Sequence, residues 1–307
     1  MRVLVTGAGG FVGRHLCGHL AARGDEPVPI GWPDTSREDG SKAVDITDAE
    51  AVLRAVEAAA PDAVVHLAGL SSVAASHRDP PRTFAVNALG AVNLIAAVDR
   101  AAPKARLLLV GSSEMYGALE PGSRAVEDWP LRPLSPYASS KVAAEVAALQ
   151  FHRARGLAVV AARPFNHLGR GQRVDFVVPS FAAQLAAIRA GRGPPVLQVG
   201  NLEAVRDFSH VDDVVEAYRL LLERGEPGQA YNVCSGTSRS IRSILERMVA
   251  LSGIEVAIQV DPSRFRPNEL PYLVGDPGKL QALGWRPGRS VDDALRDALE
   301  HARLTSV

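Results

Sequence analysis

The first 163 residues repeat one pattern: a short, unbroken apolar run, a polar turn, then a longer stretch with apolar residues every three or four positions. The runs are VLV (3–5), PVPI (27–30), AVVHLAG (63–69), RLLLVG (106–111) and LAVVAAR (157–163). A strand with one wet face alternates polar and apolar residues, so runs without alternation belong to strands covered on both faces. The stretches between them, near 11–23, 48–59, 80–101 and 136–155, carry helical periodicity; Thr47-Asp48 stands ready to cap the second and Pro61 to stop it. Strict alternation of this kind requires right-handed crossovers and a doubly wound parallel α/β sheet. After residue 163 the punctuation changes: Gly and Pro thicken (NHLGRGQ, AGRGPP, RGEPG, RPNELP, DPGK, RPGRS) around shorter helices near 177–190, 211–224, 239–252 and 291–303. The expected organisation is a first domain, 1–163, and a smaller C-terminal α/β lobe, 164–307, with segments near 200–235 returning to the first. A ligand belongs in the seam between them.

The first strand runs into TGAGGFVG, with Gly7, Gly10 and Gly13. Such glycines let the chain turn tightly, let amides approach a pyrophosphate and let helix and strand pack closely, which makes the first unit a Rossmann-type dinucleotide-binding domain. An acid ending the second strand would favour NAD(H), and an arginine there NADP(H). The chain reads PIGWPDTSRED: Gly31 and Trp32 cannot act as the acid, Asp34 lies past a proline, and Arg37 can reach a 2′-phosphate. NADP(H) is therefore slightly favoured over NAD(H). Asp45, in VDITD, is placed to accept from an adenine amino group.

The fourth strand ends in GSSEMYG, which puts Ser112, Ser113 and Glu114 at its tip, and SPYASSK follows with Tyr137 and Lys141 four apart on a helix starting near Pro136. That spacing sets both side chains on one face. An ammonium beside a phenol favours the phenolate, so the expectation is a Tyr137 pKa drawn down toward neutrality.

Lys plus Arg and Asp plus Glu both total 34, so no overall basic field draws the chain to nucleic acid. With no long apolar leader and no uncharged apolar stretch of about 18 residues, no membrane partner and a cytoplasmic location are expected. Cys17 and Cys234 are far apart, without a CxxC pair. His15 and His19 lack a nearby third ligand, so no metal is expected.

TGAGGFVG, HLAG, the Ser-Ser-Glu strand end, YASSK and PFNHLG, in this order, resemble the extended short-chain dehydrogenase/reductase family. GNLEAVRDFSHVDDVVEAY (200–218), YNVCSG (231–236) and RPNELPYLVGDPGKLQALGW (266–285) are similar to the branch holding GDP-mannose 4,6-dehydratase and GDP-4-keto-6-deoxy-D-mannose reductase. The resemblance implies a nicotinamide cofactor held by Gly7, Gly10, Phe11, Val12, Gly13, Asp45, Ile46, Leu67, Ala68, Tyr137 and Lys141. It implies a GDP-sugar substrate met by Ser112, Ser113, Asn166, Val178, Arg206, Arg266 and Glu269, with the two arginines gripping the diphosphate and Glu269 the nucleoside hydroxyls. Ser112 would hydrogen-bond the sugar's C4 oxygen, Tyr137 exchange a proton with it, and Lys141 also hold the nicotinamide ribose. The implied reaction is reduction of a 4-keto-6-deoxy sugar. The compact chain, a glycine turn unlike TGQDGSY, and PFNHLGRGQ in place of a PRRG-containing loop favour it over dehydration. Dehydration across C5 and C6 would require a carboxylate facing the ring, a part Glu114 can fill. A nucleotide-sugar epimerase and a non-catalytic dinucleotide sensor remain as alternatives. The resemblance also implies a homodimer through a four-helix bundle built by the Ala-rich helices 80–101 and 136–155; burial within one subunit would explain their composition too.

Overall fold

The computed structural model describes residues 1–31, 42–265 and 270–305. Its first six strands are β1 (Arg2–Thr6), β2 (Glu26–Gly31), β3 (Lys42–Ala43), β4 (Ala63–His66), β5 (Arg106–Val110) and β6 (Val159–Pro164). The later ones are β7 (Asn166–Leu168), β8 (Val196–Val199), β9 (Val205–His210), β10 (Ala230–Val233), β11 (Ser238–Ser240), β12 (Ala257–Val260) and β13 (Tyr272–Leu273). The helices used below are α1 (Phe11–Ala22), α2 (Ala49–Ala59), α3 (Val73–Arg78), α4 (Pro80–Phe84), α5 (Gly90–Ala101), α6 (Pro136–Arg155), α7 (Val177–Arg189), α8 (Val211–Arg224), α9 (Ile241–Ser252), α10 (Gly278–Ala282) and α11 (Val291–Thr305).

Among the described residues, seven strands form one parallel sheet in the order β3-β2-β1-β4-β5-β6-β10. Val3 and Val5 enter the apolar layer under α1 and α8, whereas Leu4 enters the layer under α2, α5 and α6. Leu108 and Leu107 divide in the same way. Both faces are thus apolar, which is why these strands read as unbroken runs. The strand order reverses between β1 and β4 and opens a crevice at their carboxyl ends, the place where such sheets bind ligands. A third apolar cluster joins α7, α9 and α11. β9 carries a smaller sheet, with β11 and β13 on its two sides and β7 also pairing with it.

Two expected helices differ. The run 80–101 is divided into α4, a widened π-type turn at Ala85–Leu89, and α5. The turn carries Asn87, whose side chain accepts from Leu70 N at 2.7 Å and donates to Leu70 O and Ser140 Oγ, both at 3.0 Å. Pro80–Ala101 is long and apolar enough to cross a membrane by length and composition, but Ala91, Leu94, Ile95 and Val98 are buried in the protein's own core. The stretch expected as a helix from 239 begins two residues later: Ser238–Ser240 pairs with β9, and Ser240 then caps α9 by accepting from Ser243 N. Asp48 caps α2 as its sequence position suggested, accepting from Ala51 N at 3.0 Å.

Candidate active site

The glycine turn is built for close approach. Gly7 has φ of +70°, and a Cβ on it would lie 2.8 Å from the Ala68 nitrogen; on Gly13 it would lie 2.3 Å from the Gly7 oxygen. Gly10 donates to Gly7 O at 3.0 Å and precedes α1, whose first turn, Phe11, Val12 and Gly13, has no side-chain cap. Those first amides have no partner within the helix, so the turn fits the pyrophosphate of a dinucleotide.

Across the crevice, Leu67 and Ala68 donate to Thr6 Oγ1 at 3.2 and 3.1 Å, and Thr6 in turn meets His66 Nδ1 at 2.8 Å. With Thr6 accepting from two amides, its proton goes to Nδ1, which fixes the tautomer. Burial, helped by the charge of Lys141, pulls the His66 pKa down to about 3, so the ring is neutral. Neither Thr6 nor His66 stood out in the sequence, since a single hydroxyl in VLVT and a histidine in HLAG carry no distinctive spacing. Asp45 Oδ1 accepts from Thr47 N and Oγ1 at 2.8 and 2.7 Å, closing the turn ahead of α2. Ile46 is buried, and a Cβ on Gly90 would approach it to 2.7 Å. Trp32, Asp34 and Arg37, on which the dinucleotide preference turned, lie outside the described residues, as do Arg266 and Glu269.

Beyond β5 the chain makes a short 3-10 turn, Ser113–Tyr116, capped by Ser112, whose Oγ accepts from Glu114 N at 3.2 Å. Ser113 is buried beside it. Ser135 caps α6 by accepting from Ala138 N at 3.1 Å, and Pro136 occupies the first turn, where a missing N–H does no harm. Tyr137 and Lys141 follow on one face, 9 % and 8 % exposed. The Ser112 hydroxyl lies near enough to the Tyr137 phenol to lower its pKa, and Lys141 Nζ donates to Val110 O at 2.9 Å.

The expected drop in the phenol's pKa is not what the structure gives. Burial pushes Tyr137 up to about 12; the Ser112 hydroxyl pulls it back and the charge of Glu114 adds to the rise. Desolvation disfavours a phenolate, and the ammonium that was to offset this is turned to the Val110 carbonyl. Lys141 itself is brought down to about 8 by burial. At neutral pH the pair is therefore a protonated phenol and a mostly charged ammonium.

The groups expected for the sugar nucleotide divide. Asn166 opens β7 and sits opposite Phe208 of β9, on which Arg206 lies two residues earlier. Arg206 is buried, with Nη1 donating to Val205 O at 2.9 Å. His167, next to Asn166, stacks on Phe11 of the glycine turn, centroids 6.0 Å apart. Val178 is a correction: the residue is 0 % exposed, packed within the third apolar cluster, and offers a ligand no surface. His15, one of the histidines weighed for metal, bonds Asp212 Oδ1 at 3.0 Å and Arg170 O at 2.9 Å. Among the described residues no three His, Cys, Asp or Glu side chains are grouped to hold a metal ion. Sequence reasoning also missed a buried ion pair, Glu145 with Arg163. The signal was present, because Glu145 continues the four-residue spacing of Tyr137 and Lys141.

The family model described as GDP-mannose 4,6 dehydratase matches residues 4–298. GDP-6-deoxy-D-mannose reductase of Pseudomonas aeruginosa is 37% identical over 303 residues, 97% of this chain and 96% of that one. The solved structure of RMD from Pseudomonas aeruginosa complexed with NADPH superposes with a TM-score of 0.90 at 34% identity, covering 99% of this chain and 100% of that chain. UDP-glucose 4-epimerase of Thermus thermophilus in complex with NAD also gives 0.90, at 35% identity and 99% of each chain. The chain therefore belongs to the GDP-mannose 4,6-dehydratase family within the extended short-chain dehydrogenase/reductases.

Proposed function

We propose that the chain reduces the C4 ketone of GDP-4-keto-6-deoxy-D-mannose to GDP-6-deoxy-D-mannose (GDP-D-rhamnose) with NAD(P)H. The observation that carries this reading is the buried, protonated Tyr137 phenol beside the buried Ser112 hydroxyl at the carboxyl end of the parallel sheet. Reduction of a carbonyl needs an acid at its oxygen, and a phenol with a pKa near 12 holds its proton until the oxygen becomes basic. The bound cofactor supplies the hydride to C4. Ser112 donates to the C4 oxygen as negative charge develops there, and Tyr137 gives it a proton, so the carbonyl becomes a hydroxyl and the phenolate regains its proton from solvent. Lys141, one helical turn on, holds the nicotinamide ribose.

Gly7, Gly10 and Gly13 with the amides of Phe11 and Val12 seat the pyrophosphate; Asp45, Ile46, Leu67 and Ala68 line the adenine and nicotinamide sides. Asn166, Arg206, Arg266 and Glu269 take the GDP portion. NADP(H) is favoured over NAD(H), in line with the NADPH bound to the Pseudomonas structure. The chain works as a homodimer through α4, the π-type turn and α6, where Phe84, Leu89 and Val146 stand 39%, 52% and 55% exposed, more apolar surface than a lone subunit gains by showing.

The second reading is GDP-mannose 4,6-dehydratase, favoured by the family model and by Glu114, whose charge is felt at Tyr137. Two incubations separate them: GDP-mannose with oxidised cofactor, and the 4-keto-6-deoxy sugar with NADPH or NADH. Oxidation of reduced cofactor in the second alone supports reduction; formation of the keto sugar in the first overturns it.

A further inference from the structure

Ser112 and Tyr137 must meet one oxygen, yet they sit on separate elements, the 3-10 turn after β5 and the start of α6. A buried polar chain joins these elements behind the crevice. Glu145, two helical turns beyond Tyr137, accepts from Arg163 Nε at 3.1 Å and Nη2 at 2.5 Å. Arg163, on β6, donates through Nη1 to the Tyr116 hydroxyl at 2.9 Å and to Glu127 O at 2.8 Å, and its guanidinium lies 5.2 Å from the centre of the Tyr116 ring. Tyr116 closes the turn that Ser112 opens, and its hydroxyl donates to Asn232 Oδ1 on β10 at 2.7 Å. Glu145, Arg163, Tyr116 and Asn232 are all buried.

Buried ion pairs contribute little net stability compared with apolar packing, but their geometry is demanding. We propose that the Glu145–Arg163–Tyr116 chain is a positioning device that sets the Ser112 turn against α6, so that the serine and phenol reach the carbonyl oxygen together. It rests on the reductase reading of the site. The carboxylate of Glu145 would lie 3.6 Å from a Cβ on Gly111, the residue before Ser112, so the anchor reaches the turn at both ends. None of the three touches the substrate; they act through Ser112.

Tyr116→Phe tests this, because it removes one oxygen while Arg163 keeps both Glu145 and the Glu127 carbonyl. Tyr231→Phe is the matched control: it also removes a buried hydroxyl, one that accepts from Glu226 N at 3.0 Å; Tyr231 neighbours Asn232 on β10 but faces the apolar layer under α1 and α8. The expected result for Tyr116→Phe is a fall in kcat of about tenfold with ketone KM changed less than about twofold, as for a small misplacement of reacting groups. The isotope effect from deuterated reduced cofactor should rise, and amide exchange over residues 112–117 should quicken. Tyr231→Phe should lower the melting temperature comparably and leave kcat, isotope effect and that exchange alone. Wild-type kcat and isotope effect in Tyr116→Phe would overturn the proposal, as would equal slowing in both variants. A wild-type protein that does not turn over the keto sugar refutes the reductase reading instead; the exchange comparison then decides the anchor, faster exchange in Tyr116→Phe alone upholding it and equal exchange overturning it.

Discussion

Replacing Lys141 by Met is expected to stabilise the ligand-free protein while removing turnover. The ammonium is buried, its pKa brought from 10.5 to about 8 by desolvation, with the Val110 carbonyl as a hydrogen-bond acceptor at 2.9 Å. Because the folded pKa lies below the unfolded one, the penalty is full below pH 8. It is relieved as pH rises from about 8 toward 10.5, where the folded chain has released the proton and the unfolded chain still holds it. The shift corresponds to about 3 kcal/mol at neutral pH. Losing the hydrogen bond to Val110 O takes back about 1 kcal/mol, leaving the variant ahead by about 2 kcal/mol near pH 7. Raising the pH to about 9.5 should erase roughly 2 kcal/mol of that lead. Tyr137 does not disturb this window, since its phenol is raised and contributes only as pH climbs through 10 toward 12, where stability falls. Urea denaturation of both proteins at the two pH values measures the gap. A gap that does not change with pH, or a wild-type protein more stable near neutrality, would refute the reasoning.

Tyr137→Phe should reduce turnover by about 10²–10⁴-fold with cofactor affinity kept, read by steady-state kinetics and NADPH fluorescence titration. Gly13→Ala puts a methyl group 2.3 Å from the Gly7 carbonyl and should weaken dinucleotide binding as well as thermal stability. Glu114→Gln should leave ketone reduction within about tenfold, since only dehydration needs the carboxylate to move a proton; loss of all ketone reduction in steady-state kinetics would refute this. Leu89→Glu, at a position 52% exposed, should convert the proposed dimer to monomer in sedimentation experiments.

Much of the site could be read from local spacing. Gly7, Gly10 and Gly13 follow a strand and open a helix, Ser112 ends another strand, and Tyr137 and Lys141 share a helix face, all matters of a few consecutive residues. What could not be read depends on residues distant in the chain. Thr6 holds Leu67 and Ala68 some sixty residues away. The phenol's pKa rises because the completed core removes water from it, while the lysine that the sequence brought into view turns to the Val110 carbonyl. Val178 reads as a possible contact until α7, α9 and α11 close around it.

The sequence by itself determined the doubly wound sheet, since runs such as VLV and RLLLV lack the alternation that would let either face meet water, as Val3 and Leu4 entering opposite layers bear out. It also determined the glycine turn and the phenol–ammonium face, which are set by backbone sterics and helical pitch. Only the tertiary structure decided that the returning β10 takes the edge beside β6, that β7 pairs with β9, and that Lys141 turns to Val110. Those outcomes depend on burial and on pairing between distant segments, and neither is encoded in any one window of sequence.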